Sequence, residues 1–289
     1  MQLAGSKVAV VGGDAREREV IAALAASGAV VSAAARPPGE PGATWCATVG
    51  DALAGASALI LPLPGVDVRA RVHAPLVAEQ FFINASDLER LLPGAPILVG
   101  TARPCLSEPA ARLGHPLVEL AEDDELAIYN SIPTAEGALQ MAMERRLITI
   151  HDSRAVVLGL GRCGTTLART LAALGSHVTV VARKPADRAR AFSLGLAATD
   201  YPDAVPALAA ADFIFNTVPS LVLTAKLLAL TRPECLIIDL ASAPGGTDFA
   251  AAERLGREAV LAPGLPGKVA PVTAGRALAR VVLARLTAR

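Results

Sequence analysis

The 289-residue sequence has few aromatic residues, no net charge and no paired cysteines. Aromatic side chains make up 3% of the residues and hydrophobic side chains 53%, so the core must be built from Val, Leu, Ala and Ile. Lys plus Arg and Asp plus Glu number 27 each, which leaves neither a basic surface for nucleic acid nor a polybasic membrane patch. We therefore expect a globular protein of two ordinary domains that binds neither nucleic acid nor membrane.

The four cysteines exclude further classes of protein. Cys46, Cys105, Cys163 and Cys235 lie far apart and form no C-x-x-C pair, so we interpret them as reduced thiols and expect no metal site and no disulfide. No run reaches the roughly 18 uncharged apolar residues of a spanning helix. The first residues lead directly into a strand pattern, which is not typical of a secretory signal. The sequence predicts a cytoplasmic protein.

Two β-loop-α-β units of matching length occur along the chain. The runs "KVAVVGG" and "RAVVLGLG" each lead through a helical segment to a second strand. From Gly12 to Arg36 is 24 residues, and from Gly159 to Arg183 is also 24. The duplication predicts an α/β fold of two doubly wound, Rossmann-like domains with a cleft between them.

Short apolar runs continue the alternation of strands and helices in each half. They are "SALILPL" (57–63), "APILVG" (95–100), "ADFIFNTVP" (211–219) and "ECLIIDLAS" (234–242). In the crossover helix of the second half, Leu167, Leu171 and Leu174 are spaced to form one buried stripe.

The expected domain organisation has four parts. A first Rossmann-like domain covers residues 1–128, and a linker with a helix covers 129–150. A second Rossmann domain covers 151–266, and the C-terminal helix, 267–289, packs back on the first domain. Within the linker, a proline-containing loop is expected to precede a helix that begins near Thr134.

The run "GLGRCG" follows a strand pattern and begins an amphipathic helix, the context that a dinucleotide fingerprint requires. Gly159 allows the tight turn, Gly161 lets the backbone approach a pyrophosphate, and Gly164 lets the helix pack closely on the strand. The amino end of the helix presents free N–H groups to the phosphates. We predict a dinucleotide site that also includes Arg162 and Cys163.

The residues after the next strand, "VARK", favour NADP over NAD. Arg183 and Lys184 follow the strand, and no acid occurs before Asp187. A guanidinium binds a 2′-phosphate by paired charged hydrogen bonds, whereas a carboxylate would repel it. The alternative is that Arg183 is a solvated cation at a strand end. Three residues after a later strand are also predicted to contact the cofactor: Asn216, Thr217 and Pro219.

The corresponding loop of the first half, "GGDAR", predicts a different use. It lacks the third glycine and places Asp14 where a pyrophosphate would lie, which is unfavourable for a phosphate. We expect this domain to contact the substrate, with Arg16 either a carboxylate anchor or a cation on the helix surface.

Three residues are candidates for acid/base work: Glu136, His151 and Asp239. For Asp239 the alternative is a structural cap at a strand end, and a lone histidine such as His151 is often structural. The segment "DLASAPGGTDF" adds candidate substrate contacts at Ser242, Gly245 and Gly246.

Five motifs together resemble the family formed by the A subunits of dipicolinate synthase. They are "VGGDAR", "AIYNSIPTAEG", "VLGLGRCG", "DLASAPGGTDF" and "LAPGLPGKVAPVTAG", which follow in this order along nearly the whole chain. The resemblance implies an NADP-linked oxidoreductase subunit that makes pyridine-2,6-dicarboxylate with a flavoprotein-like B subunit. It also implies a small dicarboxylate substrate, a hetero-oligomer, and a place in the mother-cell cytoplasm of a sporulating bacterium.

With this resemblance, Asn130, Ser131 and Thr134 are assigned to the wall of the substrate site. The family usually has "DLASRPGGTDF", and Ala243 stands here in place of that arginine. Lys268 or Arg103 is then a candidate substitute cation. Two other functions stay open: another two-domain NADP-dependent dehydrogenase of a small keto or hydroxy acid, and a non-catalytic nucleotide-binding subunit.

Overall fold

The computed structural model describes residues 3–288, which form two compact units. The first unit runs to Ala127 and also includes the residues from Ala270 onward, and the second is Ile128–Val269. Among the described residues, no helix has the length and apolar character needed to cross a membrane.

Each unit contains one six-stranded sheet in which every pair of neighbouring strands is parallel. The strands of the first unit are β1 Lys7–Val11, β2 Val30–Ala34, β3 Ala43–Trp45, β4 Ala58–Ile60, β5 Ile97–Val99 and β6 Leu117–Glu119. Those of the second are β7 Arg154–Leu158, β8 His177–Val181, β9 Ala197–Thr199, β10 Phe213–Asn216, β11 Leu236–Asp239 and β12 Glu258–Leu261.

The helices connect and flank these strands. They are α1 Arg16–Ala26, α2 Val49–Leu53, α3 Ala85–Leu88, α4 Pro104–Arg112, α5 Asp124–Arg145, α6 Arg162–Ala173, α7 Pro185–Ser193, α8 Val205–Ala210, α9 Ala225–Leu228, α10 Phe249–Arg254, α11 Leu265–Val269 and α12 Pro271–Thr287. Two 3₁₀ turns lie at Leu120–Glu122 and Pro202–Ala204.

The two sheets have the same topology. Their strand orders are β3-β2-β1-β4-β5-β6 and β12-β11-β10-β7-β8-β9, and in both the order reverses beside the first strand of the unit. The central strands β4, β10 and β11 are buried along their whole length, as expected for parallel sheets covered on both faces. The prediction of two Rossmann-like α/β domains is confirmed. In this fold, ligands bind at the carboxyl ends of the strands.

The C-terminal helix α12 packs against α1 in the first unit. Leu278 and Val282 of α12 share a core with Val20 and Leu24 of α1. The two backbones approach so closely at Gly275 that a Cβ there would lie 2.6 Å from the carbonyl oxygen of Arg16. The last helix of the chain, which has 17 residues, thus completes the core of the first unit.

The prediction of a loop before Thr134 is wrong, because α5 already begins at Asp124 and contains Pro133 in its interior. Proline removes one backbone N–H from a helix and usually breaks it. Here two hydroxyl groups donate hydrogen bonds to backbone carbonyls near Pro133. Ser131 Oγ donates to the Ile128 oxygen at 2.6 Å, and Thr134 Oγ1 donates to the Asn130 oxygen at 2.7 Å.

The predicted buried stripe of α6 is wrong at one position. Leu167 and Leu171 are fully buried, whereas Leu174 is 41% exposed. Leu174 directly follows the last residue of α6, and its backbone is no longer helical. The helical period therefore does not carry its side chain into the core.

This difference gives a matched pair of substitutions in one helix. Leu171→Ala removes a fully buried side chain and should lower the free energy of unfolding by about 2–5 kcal/mol. Leu174→Ala should cost less than about 1 kcal/mol, because its side chain is partly solvated already. Urea unfolding followed by circular dichroism measures both. Equal costs would contradict the packing described for α6.

Candidate functional site

The glycine loop of the second unit joins the carboxyl end of β7 to the amino end of α6. Gly159 has φ +89°, a conformation that favours glycine. A Cβ at Gly164 would collide with the Gly159 carbonyl oxygen, so only glycine lets the helix approach the loop. Gly161 precedes α6 without a side-chain cap, and a Cβ there would meet nothing within 4 Å. The loop thus leaves open space beside the amino end of a helix.

A cavity of about 260 Å³ lies at this loop, within the second unit. It brings together six of the predicted cofactor residues: Gly159, Gly161, Arg183, Lys184, Thr217 and Pro219. Gly164 does not line the cavity but lets α6 pack closely on the glycine loop. Arg162 is the exposed first residue of α6. Carboxyl ends of strands β7, β8 and β10 therefore meet at one opening, next to the topological switch point.

The cationic end of β8 forms one wall of this cavity. Arg183 and Lys184 are both exposed. The side chain of Arg188 donates to the carbonyl oxygens of Ala182 at 2.9 Å and Arg183 at 2.8 Å, and so holds the turn that presents the two cations. A guanidinium and an ammonium group in an open cavity are suited to binding a phosphate.

Tyr201 also lines the cavity, and sequence reasoning missed it. Burial raises the pKa of Tyr201, and the positive charge of nearby Arg183 opposes this shift. Its ring offers a flat apolar surface beside the cationic wall. The available signal was its position shortly after β9, the strand next to β8.

Asp239, at the end of β11, is fully buried and accepts four hydrogen bonds. The donors are Asn216 Nδ2 at 3.0 Å, Ala241 N at 3.1 Å, Gly246 N at 2.9 Å and Thr247 Oγ1 at 2.7 Å. These bonds satisfy a buried carboxylate and leave it no access to a substrate. The structure therefore does not support Asp239 as a base and gives it a positioning role.

Asn216 is likewise buried and fully engaged, so it does not contact the cavity directly. Its Nδ2 donates to the Val218 oxygen, and its Oδ1 accepts from Val218 N, each at 3.0 Å. A Cβ at Gly246 would collide with the carbonyl oxygens of Val218 and Ser220. Asp239 and Asn216 thus fasten the loop after β10 to the loop after β11, which carries Ser242 and Gly245.

Two other candidates lie away from the cavity. His151 precedes β7 and lies at the amino end of that strand, where its Nδ1 is 3.2 Å from the Leu174 oxygen. Since the glycine loop follows the carboxyl end of β7, His151 is at the opposite edge of the sheet, and a catalytic role is not supported. Glu136 is exposed on α5.

The predicted substrate residues of α5 are bound into the helix itself. Ser131 Oγ lies 2.6 Å from Thr166 Oγ1 of α6, besides its bond to the Ile128 oxygen. Thr134 bonds only to the backbone of Asn130 among the hydrogen bonds described. Asn130 Oδ1 is buried and has no hydrogen-bond partner within residues 3–288. Of the three, Asn130 is the one whose side chain has a buried oxygen without a hydrogen-bond partner.

The glycine loop of the first unit is filled by its own side chains. Arg16 is 5% exposed and forms a two-point ion pair with Asp14, with both N–O distances 2.9 Å. Arg36, the counterpart of Arg183, is buried, where it donates to the Gly12 oxygen at 2.7 Å and to both carboxylate oxygens of Glu40. This unit therefore has no open phosphate site at its glycine loop, and Arg16 is committed to Asp14.

Glu17 completes this filled loop. Its Oε2 accepts from Asp14 N at 2.8 Å, and its Oε1 is buried without a hydrogen-bond partner among the described residues. Burial raises the pKa of Glu17 to about 7, and the charge of Arg16 opposes this shift. The side chain is thus poised between its neutral and charged forms near neutral pH.

Thiol and metal chemistry find no support at the candidate site. Burial raises the pKa of Cys163 to about 11, so its thiol stays protonated and is not a nucleophile. Across residues 3–288, no group of three or more His, Cys, Asp or Glu side chains is arranged to hold a metal ion.

Comparison with known proteins gives the context of this site. The family model for the N-terminal domain of the dipicolinate synthase A subunit matches residues 7–121. The A subunit of dipicolinate synthase from Bacillus subtilis (strain 168) is 41% identical over 283 residues, which cover 97% of this chain and 95% of that protein. The chain belongs to the dipicolinate synthase A subunit family.

Two solved structures of this family share the fold described above. The dipicolinate synthase A subunit from Bacillus halodurans matches with a TM-score of 0.94 at 37% identity, over 100% of both chains. The one from Bacillus subtilis matches with a TM-score of 0.90 at 40% identity, over 99% of this chain and 97% of that one. The predicted family resemblance is confirmed.

A second family model, the NAD-binding domain of D-isomer-specific 2-hydroxyacid dehydrogenases, matches residues 129–245. The match includes the glycine loop, Arg183 and the loop after β10. It supports a nicotinamide dinucleotide as the cofactor of this member of the dipicolinate synthase family. The open space at Gly161 and the uncapped amino end of α6 fit the phosphates of such a group.

The raised pKa of Glu17 has a measurable consequence for stability. Since the pKa is about 7 in the folded chain and near 4.5 when exposed, the free energy of unfolding should fall as pH rises from about 4.5 to about 7. Glu17→Gln should remove this fall, which amounts to at most roughly 3 kcal/mol.

Fluorescence of Trp45, the only tryptophan of the chain, reports on the unit concerned. Trp45 is in β3, and its Nε1 donates to the Arg36 oxygen at 3.1 Å. Urea unfolding of both proteins across this pH range gives the difference. Parallel pH profiles would show that Glu17 is equally ionised in the folded and unfolded chain.

Proposed function

We propose that the chain is the NADP-dependent oxidoreductase subunit of a dipicolinate synthase. It would convert a dihydrodipicolinate-pathway intermediate to pyridine-2,6-dicarboxylate by oxidation with dehydration. The observation that carries the proposal is the cavity of the second unit, in which Arg183 and Lys184 stand beside the glycine loop. The 41% identity to a protein named as part of dipicolinate synthase supports the choice of product.

The proposed chemistry is a loss of water and of one hydride and one proton from a six-membered ring with two carboxylates. A bound nicotinamide would supply the hydride acceptor, and the product would gain the stability of an aromatic pyridine. The chain has to hold the ring against the cofactor and accept the proton. Asp239 and Asn216 contribute by holding the loops after β10 and β11, while Thr217 lines the cavity and Ser242 is exposed in the loop after β11.

The positive wall of the cavity supports NADP as the form of the cofactor. After β8, NAD-specific sites have a carboxylate that binds the ribose 2′-hydroxyl, whereas this chain has Arg183. Asp187 also lines the cavity, but its Oδ1 pairs with Arg190 at 3.1 Å. This pairing reduces the repulsion that Asp187 would exert on a 2′-phosphate.

The Bacillus subtilis relative is named as one subunit of its enzyme, which supports a partner for this chain. We propose that this partner is a flavoprotein-like B subunit in a hetero-oligomer. The place of action would be the mother-cell cytoplasm of a sporulating bacterium.

Cofactor choice is tested by Arg183→Gln, with Arg254→Gln as a control. Arg183→Gln should raise the Kd of NADP about tenfold or more and change the Kd of NAD less than about twofold, since only NADP carries the 2′-phosphate. Arg254 is exposed in the last turn of α10 and outside the cavity, so its substitution should change neither value. Calorimetric titration gives both constants. An equal loss for NAD and NADP would contradict the proposed phosphate contact.

Catalysis is tested by Gly161→Val in the complex with the partner protein. Because a Cβ at Gly161 meets open space, the variant should fold normally and yet block the approach of a pyrophosphate. We expect it to lose NADP binding and the NADP-dependent formation of a product that absorbs as pyridine-2,6-dicarboxylate.

The alternatives predict other results in the same assay. If the Gly161→Val complex lost NADP binding and still formed product, the chain would be a nucleotide-binding regulatory subunit. If the wild-type chain alone oxidised a small hydroxy acid and formed no pyridine dicarboxylate with its partner, it would be a different dehydrogenase.

A further inference from the structure

The first unit contains a long irregular segment at the functional edge of its sheet. Residues 61–84, between β4 and α3, contain neither helix nor strand, and two isolated bridges occur within them, Val66 with Val72 and Arg71 with Phe82. Loops of more than about 12–15 residues without secondary structure are uncommon in compact domains and are usually functional. This segment follows the carboxyl end of β4, where open α/β sheets bind ligands.

The segment is hydrogen-bonded to the ends of β1 and β5, the two strands that flank β4. The His73 carbonyl oxygen accepts from Gly13 N at 2.7 Å, so it occupies an N–H of the first glycine loop. Beyond β5, Gly100 N donates to the Pro62 oxygen at 3.2 Å, and a Cβ at Gly100 would collide with the backbone of Leu63. The segment thus has a defined conformation. It lies at the carboxyl ends of the strands, where the second unit has its open cavity.

A cavity of about 480 Å³ opens between this segment and the start of α4. Arg71, His73 and Arg103 line it, together with the acids Asp67 and Glu79. Asp67 and Arg71 neutralise each other, because Asp67 Oδ2 accepts from Arg71 Nε at 3.0 Å, and Asp67 Oδ1 also accepts from two backbone N–H groups. The terminal nitrogens of Arg71 have no partner among the hydrogen bonds described.

Arg103 lines the cavity and has no described structural partner. It is exposed, and within residues 3–288 no hydrogen bond or ion pair of its side chain is described. It immediately precedes α4 and does not cap that helix. A positive charge at the amino end of a helix is unfavourable to the helix itself, so packing and helix stability do not account for it.

We propose that this cavity binds a small carboxylate-bearing molecule, with Arg103 as the cation and the terminal N–H groups of Arg71 as further hydrogen-bond donors. For the identity of the ligand as a ring dicarboxylate, the proposal rests on the proposed function. Two guanidinium groups can accommodate two carboxylates by charged hydrogen bonds. Glu79 would repel an anionic ligand. Removing its charge and removing the charge of Arg103 should therefore change the affinity in opposite directions.

The test is calorimetric titration of the full chain with pyridine-2,6-dicarboxylate. Arg103→Gln should raise its Kd about tenfold, because one charged contact is lost. Glu79→Gln should lower the Kd about two- to threefold, because a repulsive charge is removed. The matched control is Arg112→Gln, an exposed arginine at the other end of α4 that lies outside the cavity, and it should leave the Kd unchanged. A merely structural role would not produce opposite shifts at Arg103 and Glu79.

Two results would overturn the proposal: no binding to the wild-type chain up to about 10 mM, or the same Kd for Arg103→Gln and wild type. Binding of NADP, measured on the same samples, should be unchanged in all three variants. Failure of the proposed function is separately visible, as absence of NADP-dependent product with the wild-type complex. In that case binding of the dicarboxylate and its dependence on Arg103 and Glu79 would still decide the site.

Discussion

The buried carboxylate of Asp239 is the interaction on which the second unit's candidate site depends. A carboxylate removed from water is stable only when its oxygens are fully hydrogen-bonded, and Asp239 meets this condition with four donors. The donors come from β10 and from the loop after β11. One buried charge therefore determines how the loops at two strand ends are held, and one of those loops lines the cavity beside the glycine loop.

The two units show how one topology can serve two purposes. In each, a glycine loop follows the first strand and an arginine stands 24 residues later. In the second unit Arg183 is exposed beside an open cavity, whereas in the first Arg36 is buried on Gly12 and Glu40. The difference follows from Asp14 and Glu17, whose carboxylates fill the amino end of α1 and leave no room for an external phosphate.

Each sheet nevertheless offers the carboxyl ends of its strands to ligands. In the second unit that edge is open and positively charged at Arg183 and Lys184. In the first, the segment 61–84 covers the edge and encloses a cavity with cations of its own. This arrangement agrees with the proposed use of both a dinucleotide and a small anionic substrate by this member of the dipicolinate synthase family.

The sequence by itself determined the fold class, the inner four strands of each sheet and the glycine loop, because these depend on local periodicity and on glycine spacing. It did not predict the outer strands β3, β6, β9 and β12. It also determined the family, through five motifs in a common order. Only the tertiary structure decided which polar residues are available. In the sequence, three residues resemble reactive groups: Asp239, Asn216 and Arg16. In the structure, Asp239 and Asn216 hydrogen-bond to each other, and Arg16 forms an ion pair with Asp14. His151 is near the glycine loop in sequence, yet the length of β7 separates the two, since a strand carries its ends to opposite edges of the sheet.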